Sequence, residues 1–222
     1  MKSSTRFPLL AAALLASACT IDSYDKGESD YSLVTADFVV ATINAEKQVS
    51  QVETDQGDRL SPQEPLTAKW IETADTTYRA MLYYKVAAAG TFQAVSMGRV
   101  GVLKPTSPER LKGGMKADAL HVESIWPSKN GKWLNMRLRL LTGQSDNEDA
   151  RQSLALVADS IVTTADGRTK AMMQLWHDQG GQPEYYSAVT YASIPLDSIK
   201  ADSVTITVNT YEGLMSRTFA VR

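Results

Sequence analysis

Apolar and polar residues alternate one for one along much of this chain, and turn-forming residues break the alternation at short intervals. Successive side chains of a β-strand point to opposite faces, so such a pattern buries one face and wets the other. In Trp133 to Leu141 the apolar set is Leu134, Met136, Leu138 and Leu140, and Asn135, Arg137 and Arg139 are expected on the wet face. Val204, Ile206 and Val208 alternate in the same way with Thr205, Thr207 and Asn209. Beyond the first residues, no segment carries a convincing 3.6-residue apolar period, so the chain reads as all-β.

The turns divide it further. Phe38 to Ile43 reads as a strand, Asn44 to Lys47 as a turn, Val49 to Thr54 as the partner strand and Asp55 to Asp58 as the next turn. Ala68 to Glu72 reads as a short strand or a helical turn. Arg79 to Val86 and Phe92 to Leu103 supply further strands, and about five short strands in residues 33–104 suit a small barrel or sandwich. Residues 105–118 carry Pro105, Pro108, Gly113 and Gly114 among charges, the chemistry of a linker. Residues 119–222 are expected to form about seven antiparallel strands in a β-sandwich. Asn130-Gly131 and Asp166-Gly167 mark hairpin turns, since both residues of such a pair tolerate positive φ. The halves are not copies of each other.

The N-terminus reads as an export signal. Lys2 and Arg6 precede the ten-residue apolar run Leu9 to Ala18, whereas a membrane-spanning helix needs about 20 residues. Residues 1–18 are therefore expected to be a signal peptide. Leu15-Ala16-Ser17-Ala18-Cys19 resembles a bacterial lipobox, with Leu one position early, and it holds the only cysteine of the chain. Cys19 is the expected lipid-attachment residue, and several acyl chains there would hold the protein firmly to a membrane. Residues 19–32 form an acidic tether with Asp22, Asp25, Glu28 and Asp30 against Lys26.

Composition excludes several functions. One cysteine permits no intramolecular disulfide and no thiolate metal cluster, and two histidines are too few for a His-only zinc site. The formal net charge is −2, and without the leader's two cations the rest is more acidic still, which argues against nucleic acid. His121, and His177 beside Asp178, have no serine or cysteine signature near them, so each reads as a surface or core histidine. Asp146-Asn147-Glu148-Asp149 offers oxygen ligands but lacks the spacing and glycine of a calcium loop. A pair of facing carboxylates for glycoside hydrolysis is not singled out by any motif. No catalytic, cofactor-binding or metal residue is expected. Of Phe38, Trp70, Tyr78, Tyr83, Tyr84 and Phe92, most should fill the small barrel.

Several stretches together resemble the NigD-like lipoproteins of Bacteroidota. They are the lipobox and tether, Asp37-Phe38-Val39-Val40-Ala41-Thr42-Ile43, Asp55-Gln56-Gly57-Asp58-Arg59-Leu60-Ser61-Pro62 and Arg79-Ala80-Met81-Leu82-Tyr83-Tyr84. In the second half they are Trp133-Leu134-Asn135-Met136-Arg137, the strand end Trp176-His177-Asp178 and the ending Val204 to Gly213. The resemblance implies an OB-like barrel followed by a β-sandwich, with no known reaction. It also implies an outer-membrane lipoprotein facing the periplasm or the cell surface. The expected role is non-enzymatic binding of an envelope protein or glycan, with immunity against a bacteriocin-type toxin as the alternative and a cryptic hydrolase the weakest reading.

Overall fold

The computed structural model describes residues 33–221 except 89, 112, 113, 115, 148 and 149. Cys19, the leader, the tether, Gly113, Glu148 and Asp149 lie outside the described residues. From Val34 onward the chain forms one compact unit.

Five strands close a barrel: β1 (Thr35–Ile43), β2 (Val49–Thr54), β3 (Arg59–Pro62), β4 (Thr77–Val86) and β5 (Thr91–Arg99). Their order around the barrel is β1-β2-β3-β5-β4, with β3 and β5 parallel and the other pairs antiparallel. That is the connectivity of an OB-type barrel. Period-two burial explains why these segments curl. Val39, Ala41, Val52, Ala80, Leu82 and Phe92 point inward and are sealed from solvent. Ala68 to Glu72, expected as strand or helical turn, forms no strand but holds a single turn, closed by the Ile71 N–H donating to the Ala68 carbonyl at 2.9 Å, and Trp70 lies edge-on to Tyr78 with centroids 5.6 Å apart.

Two sheets follow. One contains β6 (Gly101–Val102), β12 (Tyr186–Pro195), β9 (Trp133–Thr142) and β8 (His121–Pro127), in that order. The other runs β14 (Gly213–Ala220), β13 (Ser203–Thr210), β11 (Thr169–Asp178), β10 (Ser153–Thr163) and β7 (Pro105–Thr106). Leu134, Met136, Leu138 and Ile194 from the first meet Leu156, Leu175, Val204, Ile206 and Val208 from the second in one apolar core. The β-sandwich is as expected. Most of its pairings are antiparallel, and β7, β13 and β6 add parallel pairs to β10, β11 and β12. No helix among the described residues is long and apolar enough to cross a membrane.

Three local expectations are corrected. The stretch 105–118 is not a free linker: β7 pairs with Leu156 and Val157, and Ala117 bridges to His177. Gly101–Val102, expected with the barrel, pairs with Ala192 and Ser193 in the sandwich. The chain therefore passes from barrel to sandwich through Val100 alone. In the hairpins, only the glycine of Asn130-Gly131 and Asp166-Gly167 takes positive φ, at 69° and 81°. Neither is a two-residue turn, and Asn130 is used elsewhere. Its backbone N–H donates to the Asp55 carbonyl at 2.8 Å and its side chain donates to the Thr54 carbonyl at 3.2 Å, tying this turn to the barrel.

Candidate functional site

The barrel sits on the outer face of the four-stranded sheet. Trp126, Asn135 and Ser193 stand in register across β8, β9 and β12 on that face. Opposite them, Phe38 on β1 and Arg79 on β4 project outward from the barrel. Phe38 meets Trp126 and Tyr191 edge-on, with centroids 5.6 and 5.4 Å apart. Of the six aromatics of the first domain most are expected to fill the barrel; Trp70, Tyr78, Tyr84 and Phe92 lie in or against its core, and Phe38 does not. It is buried, but in this contact, whereas Tyr84 and Phe92 do fill the barrel and Tyr83 is exposed.

Arg79 is the centre of the contact. Its side chain is 1% exposed. Nη2 donates to both carboxylate oxygens of Asp55, at 2.6 and 2.8 Å, and to Oδ1 of Asn135 at 3.0 Å. Nε donates to Oγ of Ser193 at 3.2 Å. Ser193 donates in turn to Asn135 Oδ1 at 2.8 Å, and Asn135 Nδ2 donates to Asp55 Oδ2 at 2.6 Å. The guanidinium also lies 4.5 Å from the Trp133 ring centroid and 5.3 Å from that of Phe38. Nη1 has no hydrogen-bond partner among the described residues, and these two ring faces offer it electrostatic compensation. Burial pushes the Arg79 guanidinium down from its ordinary value, while Asp55 pulls it back up. Arginine stays charged in this setting, and its planar fork suits such multidentate pairing.

Asn135 therefore corrects an expectation. It does leave the sandwich core, but into the buried clasp and not into water, with 0% exposure. Arg137 and Arg139 on the same face are exposed and pair with Glu123.

Beside the clasp opens a cleft of about 770 Å³. Val40 and Glu53 of the barrel line one side. Trp133, Pro195 and Leu196 of the sandwich line another, and Lys104, Lys132 and Lys200 stand around it. Lys132 is hydrogen-bonded to the Glu53 carboxylate, and Arg59 lies 3.7 Å from the same group. The Lys132 hydrogen bond, then the nearby charges of Lys132 and Arg59, hold the Glu53 carboxyl below its usual range despite some burial. Lys200 donates to the backbone carbonyl of Asp197 at 3.0 Å. Nothing in the sequence singles out this cleft, because its walls come from six separate segments.

The histidines are placed apart. His177 is 1% exposed, with Nδ1 3.3 Å from the Asp118 carbonyl and Nε2 3.0 Å from Oε1 of Gln152. Asp178 turns instead to Lys116, at 3.0 Å. His121 stacks on Tyr211 with centroids 4.7 Å apart and lies 3.7 Å from the Glu212 carboxylate. Among the described residues, no group of three metal-ligating side chains comes together.

The family model of the NigD-like C-terminal beta sandwich domain matches residues 103–221. A NigD-like immunity protein from Bacteroides caccae is similar in structure, at 22% identity and a TM-score of 0.61 over 84% of this chain and 92% of that one. A protein of unknown function from Bacteroides vulgatus gives 19% identity and 0.60, over 84% and 90%. A candidate lipoprotein from Bacteroides fragilis gives 13% and 0.58, over 84% and 96%. At these identities the likeness is one of fold. No curated protein matches the sequence. The family match spans more than half of the chain, and the chain belongs to the NigD-like family.

Proposed function

We propose that this protein is a lipid-anchored, non-enzymatic binding or accessory module of the bacterial outer membrane, with a protein or glycan partner seated in the cleft between barrel and sandwich. The observation that carries the reading is the cleft itself. It is lined from both lobes, and the buried Arg79 clasp holds its walls in one arrangement. A preformed concave site of this size is what a ligand-binding module needs. Anchoring rests on the run Leu15 to Cys19, and the name of the Bacteroides fragilis relative supports it. The anchored face is periplasmic or cell-surface.

Electrostatics make Glu53 unsuited to be the general acid of a hydrolase. Glycoside hydrolysis requires a carboxyl group kept protonated by a raised pKa. Glu53, a carboxylate of the cleft, is shifted the other way. Capture of a bacteriocin-type toxin is the second reading, favoured by the name of the Bacteroides caccae relative as an immunity protein.

The test is a pull-down from detergent-solubilised envelope with the native lipidated protein. The proposal expects a captured component that is lost when Lys104 and Lys200 are both replaced by Glu. It also expects Cys19→Ala to move the protein to the soluble fraction. A Cys19→Ala protein that stays firmly membrane-bound contradicts the anchor, and turnover of a glycan or ester panel contradicts the non-enzymatic reading.

A further inference from the structure

We propose that the ligand of the cleft is a carboxylated oligosaccharide, an inference that rests on the binding-module reading above. The three lysines reach the cleft from different segments: the β6–β7 connection, the β8–β9 turn and the turn after β12. Their charges are unequally spent. Lys132 is matched by Glu53. Lys200 is bonded to a neutral carbonyl, and Lys104 has no hydrogen-bond or ion-pair partner among the described residues. Two ammonium groups thus border the cleft without a carboxylate bonded to them.

The rest of the lining fits sugar rings. Trp133 is half-buried, and Arg79 covers a face of its indole, so the ring is fixed and its remaining surface contributes to the cleft. Val40 and Val102, neither of them buried, extend that apolar surface. Pyranose rings present apolar C–H faces that stack on such platforms, and their hydroxyls donate to carboxylates. Glu53 and Asp197 supply those acceptors. An acidic peptide of glutamates has no hydroxyl to donate to these two carboxylates. Against a uronic acid they bond hydroxyls while Lys104 and Lys200 take its carboxylates.

The probes are tetragalacturonate, its methyl ester and a tetraglutamate peptide, titrated calorimetrically into the full lipidated protein in detergent. Tetragalacturonate is expected to bind, with affinity falling as salt rises. Esterification should weaken it by about tenfold or more, and Lys104→Ala with Lys200→Ala by about tenfold, the loss expected for a charge-assisted contact. Both lysines are exposed, so the double variant should keep the wild-type melting temperature. Equal binding of acid and ester overturns the preference for carboxylates but keeps a glycan cleft. Equal binding of tetraglutamate, or an unchanged affinity in the lysine variant, overturns the assignment. If none of the three probes binds while the envelope pull-down still captures a cleft-dependent partner, this inference fails and the binding-module reading stands.

Discussion

Arg79 shows how one residue couples two lobes. Breaking a buried ion pair from one side leaves the partner desolvated and alone, typically at a cost of about 3–5 kcal/mol. Asp55 is 14% exposed, so the lower end applies here. Arg79→Ala and Asp55→Ala should each lower stability by about 3 kcal/mol in urea unfolding. The double variant should cost clearly less than the sum, because the second change removes an already orphaned group. Arg79→Lys should not rescue, since an ammonium cannot bridge Asp55, Asn135 and Ser193 in one plane. Glu53 gives a pH dependence. Its folded-state pKa lies below its ordinary value, so the stability it adds is complete above that value and is lost as pH falls through the folded-state value. Glu53→Gln should flatten the acid limb of a stability-against-pH curve below about pH 4.5, the ordinary glutamate value, and a limb identical to wild type would count against the pair.

Among the elements, the loop between β11 and β12 depends most sharply on one residue. Gly180 has φ +59°, and a Cβ there would stand 1.9 Å from the Arg151 carbonyl oxygen. Gly57, at φ +100°, faces open space. Gly180→Ala should therefore destabilise by several kcal/mol and Gly57→Ala by only about 1, read as shifts in the urea midpoint. The strands themselves are legible, because period-two burial is written locally: the pattern bounds Val49 to Thr54 at the residues where the strand begins and ends, and Leu134, Met136, Leu138 and Leu140 are all buried. What the local pattern could not carry was pairing across distance. β6 and β7 have two residues each, too few for any periodicity, and a register shift between Val122 and Ser124 breaks the alternation of β8. Asn135 reads as a solvent residue because its partners lie 56, 58 and 80 residues away. The stretches that carry the family resemblance do contain Asp55, Arg79, Trp133 and Asn135, but nothing in them says that these side chains meet. The same distance hid the cleft, whose lysines look like ordinary surface charges in sequence.

On the scale of the whole unit, barrel and sandwich share a strand path through Val100, whose N–H donates to the Arg79 carbonyl at 2.9 Å. The lobes should therefore unfold together. Native-state hydrogen exchange should give the amides of Val39 to Ala41 and those of Leu138 and Val208 the same opening free energy in wild type. In Arg79→Ala the barrel amides should open first. Separate opening energies in the wild-type protein would mean that the clasp does not couple the lobes. For the proposed binding role, coupling keeps the cleft walls fixed before a ligand arrives, reducing the ordering cost of binding.

The most direct test of the account is site-specific photocrosslinking in the living host, with the photoreactive residue at position 104 on the cleft or at position 168 in the β10–β11 turn. Adducts with envelope material at 104 and none at 168 are the predicted result. Adducts at 168 with none at 104 would show that the working surface lies elsewhere on the molecule.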